Sequence, residues 1–224
     1  MVKYLFDISL AILGLVLLAP LFGFVALGIW ITSPGPILFR ARRVGLKGKI
    51  FTMYKFRTMH TDQSSFSSVI SAKNDPRVFP IGEILRRYKV DELPQLFNII
   101  TGEMSVVGPR AEDPSIVSNY YAQPHLETLE VRPGLVSPGS LYNYTHGEEQ
   151  LDVDDPKKSY LKNLLPVKLA LDIVYVREAS FVYNVAIIVR TARTIILKFL
   201  GKCRFPDPPE MQRARSFIYP TKVE

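Results

Sequence analysis

The 224-residue sequence is poor in the side chains that most often bind transition metals. Its single cysteine, Cys203, excludes an intramolecular disulfide and a cysteine-rich metal site. The three histidines, His60, His125 and His146, show no recognised ligand spacing. Acidic residues are outnumbered by basic ones, 21 against 28, and the formal charge of +7 indicates an anionic partner such as a nucleic acid, an anionic lipid or a nucleotide.

Charged side chains are missing from residues 8 to 32, where leucine, isoleucine, valine and phenylalanine dominate. About twenty apolar residues suffice to cross a bilayer as a helix. Pro20 lies at the centre of this segment, and a half of about a dozen residues rises only about 18 Å. The segment is therefore either a kinked transmembrane helix or a re-entrant hairpin that bends at Ala19 and Pro20. Hydropathy alone favours the spanning helix.

The rest of the chain predicts a mixture of short strands and helices. We expect short strands at residues 37–39 and 50–56. A polar loop is expected at residues 60–74 and a helix at residues 81–89. Apolar residues at helical spacing fill residues 164–200 and are interleaved with lysine and arginine. That pattern fits either a helix lying in an anionic membrane interface or a core helix with a solvated basic edge. The proline-rich chain after Cys203 predicts an extended tail.

The most informative segment is DELPQLFNIITGEMSVVGPR, residues 91–110. Pro94 has no N–H to donate, which a helix tolerates in its first turn, so we predict a helix that begins near Asp91 and ends near Gly102. Asp91 would then be the N-cap or the first residue, where unpaired amides and the helix dipole keep a carboxylate ionised. An ionised carboxylate suits a nucleophile or a metal ligand, although Asp91 and Glu92 also fit a plain helix cap.

This segment resembles the signature of the bacterial sugar transferase family, the monotopic phosphoglycosyl transferases. The shared elements, in the same order and at matching spacing, are Asp-Glu-Leu-Pro-Gln-Leu, Asn, Gly-acidic-Met-Ser and Gly-Pro-Arg. Three further stretches are similar to motifs of the family, and they begin at Lys55, Asn74 and Arg132. The resemblance covers roughly the first two hundred residues.

The resemblance implies an α+β fold in three parts. Residues 1–34 would form a re-entrant membrane helix-break-helix, broken at Ala19 and Pro20. Residues 35–203 would form a small, mostly helical cytoplasmic catalytic domain with interfacial amphipathic helices, and residues 204–224 an extended tail. The protein would be monotopic, on the cytoplasmic face of the bacterial inner membrane and in contact with the lipid of that leaflet. The resemblance thus reverses the preference that hydropathy gives.

The resemblance also implies a reaction. Asp91 attacks the sugar-linked phosphate of a UDP-sugar and UMP leaves. The phosphosugar then passes to a membrane polyprenyl phosphate, with undecaprenyl phosphate as the expected carrier, and glycoconjugate or polysaccharide assembly begins. Asp91 and Glu92 would bind Mg²⁺, because two anionic reactants need a cation between them and hard oxygen ligands suit this ion. The implied phosphate-binding cations are Lys55, Arg57, Arg86, Arg110 and Arg132.

One stretch departs from the family pattern. From Arg132 to Thr145 the chain reads RPGLVSPGSLYNYT, and Tyr144 stands where the family carries a later arginine. This departure predicts a changed sugar or nucleotide pocket, and it leaves open a catalytically inactive membrane scaffold that keeps the fold. A membrane-tethered nucleic-acid binder is suggested only by the charge, and the chain lacks a stacked aromatic-basic motif such as an RRM signature. We expect an enzyme without a nucleic-acid partner.

Overall fold

The longest helix of the computed structural model, α1 (Val2–Thr32), begins the described part of the chain, which comprises residues 2–61, 75–152 and 155–218. Helical geometry continues through Ala19 and Pro20, so the predicted break does not interrupt the helix. A proline inside a helix removes one backbone hydrogen bond and can bend the axis without ending the helix. By length and composition α1 could cross a membrane. The re-entrant path stays a prediction.

One face of α1 lies on the rest of the protein along most of the helix. Ala11 and Ile29 are fully buried, and Asp7 and Val25 are nearly so. These positions return to one side of a helix with 3.6 residues per turn. The opposite face is apolar and more than 60 % exposed at five positions: Val16, Leu17, Phe24, Trp30 and Ile31. An apolar face of this size fits contact with lipid.

Two small sheets lie beside α1. The strands are β1 (Leu38–Val44), β2 (Ile50–Phe56), β3 (Ser105–Val107) and β4 (Gly134–Val136). β1 and β2 pair antiparallel, and β1 is longer than predicted because the exposed Arg40 and Arg42 flank the buried Ala41 and so continue the strand. β3 and β4 pair in parallel. Just beyond β3, Gly108 approaches Gly134 so closely that a methyl group on either would overlap backbone atoms of the other strand's segment.

The remaining helices differ in burial, and α7, which packs against α5 and α9, is buried on nearly all sides. They are α2 (Pro80–Arg87), α3 (Gln95–Ile100), α4 (Pro114–Tyr120), α5 (Pro138–Gln150), α6 (Pro156–Ser159), α7 (Leu165–Glu178), α8 (Phe181–Phe199) and α9 (Met211–Ala214). A π-helical turn, Tyr160–Leu164, joins α6 to α7. The helix predicted at residues 81–89 is α2. The loop predicted at residues 60–74 lies almost entirely outside the described residues.

The basic, apolar stretch at residues 164–200 forms two helices with different environments. In α7 the side chains of Leu165, Leu171 and Ile173 are fully buried, as in a core helix. In α8 the large side chains Val182 and Phe199 are exposed. The interpretation as a core helix therefore fits α7, and the interpretation as a helix in a membrane interface fits α8.

The prediction of an extended tail after residue 203 needs correction. Residues 211–217 form α9 and a 3₁₀ turn, Arg215–Phe217, and Ala214 is fully buried against α7. The buried carboxylate of Glu210 accepts hydrogen bonds from Arg190 (2.9 Å to Nη1) and from the Tyr183 hydroxyl (2.6 Å). Residues 210–219 contain no proline, so this stretch of the chain is free to form helical turns and to dock.

Candidate active site

The two adjacent carboxylates lie in a 3₁₀ turn, Val90–Glu92, between α2 and α3. Lys89, just before it, has a φ of 59°, a left-handed conformation that is uncommon for residues other than glycine. Asp91 is the second residue of this turn and is not an N-cap, which corrects the prediction. α3 begins later because Pro94 occupies its N-cap. Gly102, with a φ of 77°, follows the end of α3 as predicted.

Glu92 is buried and is surrounded by three cations. Arg110 donates two parallel hydrogen bonds to its carboxylate, from Nη1 to Oε2 at 2.8 Å and from Nη2 to Oε1 at 2.6 Å. The Nζ atoms of Lys55 and Lys89 lie 3.1 and 3.6 Å from Oε1. Burial by itself raises the pKa of Glu92, but Arg110, Lys55 and Lys89 outweigh it and hold the pKa well below its ordinary value. Glu92 is therefore a fixed anion that organises the cations.

Asp91 is equally buried but has the opposite electrostatic balance. Burial is the largest influence and raises the pKa of Asp91; Lys55 opposes the increase, and the charge of Glu92 adds to it. The support that we expected from an N-cap position is missing, because Asp91 is the second residue of a 3₁₀ turn, and the nearby cations are paired with Glu92. Within the described residues, Oδ1 of Asp91 accepts no hydrogen bond. This oxygen is available to a ligand.

Gln95, four residues after Asp91, strengthens that conclusion. Its side chain is fully buried, and neither Oε1 nor Nε2 has a hydrogen-bond partner in the described part of the protein. Buried polar atoms are nearly always paired with protein, water or ligand. The unpaired atoms of Asp91 and Gln95 therefore mark a place that a polar ligand or ordered water would complete.

The loop that carries Arg110 is held by α7. Asp172 accepts the backbone N–H of Arg110 at 3.2 Å and that of Gly139 at 3.0 Å. One helical turn earlier, Lys168 forms a buried ion pair with Glu112. Two ionisable side chains of the core helix thus hold the loop at Arg110 and at Glu112, beside the guanidinium that binds Glu92.

Two of the other predicted phosphate-binding cations lie beside the carboxylates. Lys55 contacts Glu92 directly, and burial, the largest influence, lowers the pKa of Lys55 to about 8. Arg86 donates from Nε to the Thr58 hydroxyl at 2.8 Å. Burial lowers the pKa of Arg86, and the charge of Asp91 opposes that decrease, which places this guanidinium within electrostatic reach of the carboxylate.

Arg57 and Arg132 have other partners. Arg57 is buried and donates to the backbone oxygen and the hydroxyl of Ser33, the latter at 2.7 Å, so it holds the chain at the end of α1. Arg132 donates to the Gly102 carbonyl at 2.9 Å and lies 4.9 Å from the ring centroid of Tyr4. The contacts of both arginines connect α1 or its end to the domain, and they do not include the carboxylates.

Sequence reasoning missed Lys89, Gln95 and Asp172. A signal for Asp172 exists, since it is an acidic residue within the apolar run of α7, and a buried charge requires partners. Lys89 directly precedes the two carboxylates, but its left-handed backbone, which aims it at Glu92, is not visible in the sequence. Gln95 belongs to the signature segment and carries no charge that would single it out.

The carboxylates differ in how well they fit Mg²⁺. Asp91 offers an unpaired oxygen, whereas both oxygens of Glu92 are paired with Arg110. No group of three or more His, Cys, Asp or Glu side chains that could hold a metal occurs within the described residues. Mg²⁺ commonly uses one or two carboxylates together with substrate phosphates and water. Asp91 therefore fits as a ligand, and Glu92 does not fit in this arrangement.

Asp172 gives the protein a testable dependence of stability on pH. Burial, the largest influence, raises the pKa of Asp172 from 3.8 to about 6. Between pH of about 4 and about 6 the unfolded chain releases this proton while the folded protein keeps it, so stability is lost as pH rises through the folded pKa. Two pKa units correspond to about 3 kcal/mol. We expect the free energy of unfolding to fall by about this amount as pH rises from about 4 to above about 6, compared with Asp172→Asn, which has no carboxyl group to titrate. Parallel pH profiles for the two proteins would contradict this expectation.

Comparison with known proteins identifies the family to which this site belongs. The model of the bacterial sugar transferase family matches residues 1–198. The chain belongs to this family. The match includes α1, both sheets and all the residues around Asp91 and Glu92, so the predicted resemblance is confirmed.

Several curated members of the bacterial sugar transferase family are similar to the chain. It is 36 % identical to the undecaprenyl-phosphate glucose phosphotransferase of Komagataeibacter xylinus over 197 residues, which cover 85 % of this chain and 35 % of the relative. It is 34 % identical to the UDP-glucose:undecaprenyl-phosphate glucose-1-phosphate transferase of Caulobacter vibrioides over 196 residues, 87 % and 69 % of the two chains. It is 53 % identical to the exopolysaccharide production protein PSS of Rhizobium leguminosarum bv. phaseoli over 109 residues, 48 % and 54 % of the chains. The chain spans only about a third to a half of several of these relatives.

Proposed function

We propose that this bacterial sugar transferase moves a sugar 1-phosphate from a UDP-sugar to a membrane polyprenyl phosphate, and that Asp91 carries the phosphosugar between them. The observation that carries the proposal is the contrast between two neighbouring carboxylates. Asp91 has a buried oxygen without a partner, while Glu92 gathers three cations. The names of the relatives, which give undecaprenyl phosphate as acceptor and in several cases UDP-glucose as donor, support the substrate classes.

In the first step a carboxylate oxygen of Asp91 bonds to the β-phosphorus of the donor. The bond from that phosphorus to the oxygen bridging the two phosphates breaks, and UMP leaves with the electron pair. Lys55, Lys89 and Arg110 reduce the repulsion between carboxylate and diphosphate, because their donors already converge on Glu92 and need little reorganisation.

In the second step a phosphate oxygen of the polyprenyl phosphate attacks the same phosphorus. The bond to Asp91 breaks, the carboxylate is restored, and the product is a sugar linked to the lipid through a diphosphate. A covalent intermediate divides the transfer between a soluble donor and a membrane acceptor into two steps that need not bind both substrates at once. This product would initiate assembly of a polysaccharide or another glycoconjugate.

Mg²⁺ fits beside Asp91 and the phosphates of the donor. When bound, it would supply the neutralisation of charge between the attacking carboxylate and the diphosphate. Glu92 would act as the anchor of the cations around it, since its oxygens are already paired.

The contacts of α1 support a location on one face of the membrane. Near its start, Lys3 donates to the Val107 carbonyl at 3.1 Å and Asp7 accepts from the Ser105 hydroxyl at 2.7 Å. At its end, Ser33 accepts from Arg57 at 2.7 Å. A straight helix of this length would measure about 46 Å, so a spanning α1 could not place both ends on one globular domain. We therefore propose that α1 re-enters, with the domain on the cytoplasmic face.

The topology has a direct test in intact cells. Single cysteines replacing Val2 and Lys47, in a Cys203→Ser background, should both resist a membrane-impermeant thiol reagent until the cells are permeabilised. Labelling of position 2 from outside would establish a spanning helix. A proline destabilises a helix interior by about 3 kcal/mol, and Pro20→Ala removes part of this cost because it restores a backbone hydrogen bond. The substitution should therefore move some molecules to the spanning topology. Pro206→Ala, in the tail, should not.

The activity itself is tested by release of UMP. Membrane-embedded protein would be incubated with a panel of UDP-sugars, with and without polyprenyl phosphate, and UMP and lipid-linked sugar would be counted separately. We expect one stoichiometric burst of UMP without acceptor and turnover with it, both lost in a chelator of divalent cations. Release of no UMP from any donor would leave the inactive scaffold as the better description, and full activity in chelator would exclude the role of Mg²⁺.

A further inference from the structure

A cavity of about 150 Å³ lies beside Glu92, between the turn that carries this carboxylate, α5 and α8. One end is formed by charged groups of the site: Lys89, Glu92 and Arg110. The walls beyond this end are mainly aliphatic, with two aromatic side chains, Tyr88 and Tyr144. The cavity therefore joins an anion-binding end to an apolar and aromatic body.

Much of the wall comes from the stretch that departs from the family pattern. Seven lining residues lie between Leu135 and Tyr144. The Tyr144 ring is held in place, because its hydroxyl donates to the Arg87 carbonyl at 2.6 Å and the Lys198 ammonium lies 4.0 Å from its centroid. Residues from the stretch that departs from the family pattern thus form much of the wall of a cavity that Glu92 and Arg110 also line.

The wall also contains a few polar groups. Oγ1 of Thr191, on α8, is buried and has no hydrogen-bond partner within the described residues. Ser140 and Asn143 on α5 add further hydrogen-bonding groups to the wall. A mainly apolar cavity with a small number of polar groups is the usual form of a site for a small molecule.

We infer that this cavity binds the nucleobase of the donor and, after the first step, of the leaving nucleotide. The inference rests on the proposed function, because it takes a nucleoside diphosphate sugar as the donor. A planar heterocycle can stack on a tyrosine ring and needs few hydrogen bonds, which this wall offers. A hexose presents many hydroxyl groups, and an apolar wall would leave most of them unpaired. An isoprenoid chain would leave the buried Thr191 hydroxyl unpaired, whereas a base can pair with it.

Ile195 and Ile196 provide a matched pair of variants on α8. Ile195 lines the cavity, whereas Ile196 is 58 % exposed and does not line it. Binding of UMP and of ribose 5-phosphate, which lacks the base, would be measured by calorimetry on the full-length protein in detergent. We expect wild type to prefer UMP, and Ile195→Trp to weaken UMP binding by about tenfold or more while leaving ribose 5-phosphate unchanged. Ile196→Trp should alter neither.

A second variant guards against misfolding of Ile195→Trp. Thr191→Val keeps the shape of the side chain and removes its hydroxyl, and it should weaken UMP binding by about three- to tenfold. Unchanged UMP affinity in both folded variants would overturn the inference while leaving the proposed function intact. A higher KM for the UDP-sugar with unchanged UMP affinity would place the sugar in the cavity, and a change in the KM of the lipid acceptor alone would place the isoprenoid there. Wild type that binds no UMP would overturn the inference and the proposed function together.

Discussion

Replacement of Asp91 by asparagine is expected to lower sugar-phosphate transfer by at least about 1000-fold. The amide has nearly the shape of the carboxylate, but it cannot form the bond to phosphorus that the first step requires. The protein should stay folded, because burial already raises the pKa of Asp91 and a neutral amide is easier to bury than a carboxylate. A loss of activity without a loss of stability would separate chemistry from folding.

The covalent step can be observed directly. With a donor labelled in the β-phosphate and no acceptor, acid-quenched wild-type protein should carry the label and lose it when polyprenyl phosphate is added. Asp91→Asn should carry none. Asp207→Asn, whose side chain is 59 % exposed, serves as the control and should behave like wild type. Label on Asp91→Asn, purified free of wild-type protein, would mean that another residue forms the intermediate.

The signature segment predicted the site better than it predicted local geometry. Asp91, Glu92, Lys55 and Arg110 come together as expected, because their motifs lie on neighbouring elements of one domain. The cap assigned to Asp91 was wrong, since a propensity argument sees Pro94 but not the left-handed Lys89 that turns the chain just before the carboxylates.

Charge alone could not tell which arginines lie beside the carboxylates. Arg57 lies in a motif of the family, but its donors are occupied by Ser33 and Pro36 at the end of α1. Arg132 is likewise engaged with Gly102. These partnerships join residues about twenty to thirty positions apart, and such tertiary contacts leave no local pattern in a single sequence. For Asp172 the sequence shows an acidic residue within an apolar run, but it does not show that the partner is the distant Arg110 loop.

Replacement of Arg110 by alanine is expected to lower kcat/KM by about 100- to 1000-fold, while Lys49→Ala changes it by less than about twofold. Arg110 is bidentate on Glu92 and lines the cavity, whereas Lys49 is exposed in the hairpin turn. Arg110→Lys keeps the charge but cannot form two parallel hydrogen bonds, so an intermediate loss is expected. Equal losses from Arg110→Ala and Lys49→Ala would mean that the basic residues act only through overall charge.

A double-mutant cycle distinguishes catalysis from structural support at Arg110. Removal of one partner of a buried ion pair costs about 3–5 kcal/mol of stability, because Glu92 would remain buried with weaker compensation. In a Glu92→Gln background that penalty largely disappears, since the amide carries no charge. If Arg110 binds the donor phosphates, Arg110→Ala should still lower kcat/KM by a similar factor in this background. If it served only to neutralise Glu92, the second substitution would have no further effect on kcat/KM, and the role of Arg110 in phosphate binding would have to be abandoned.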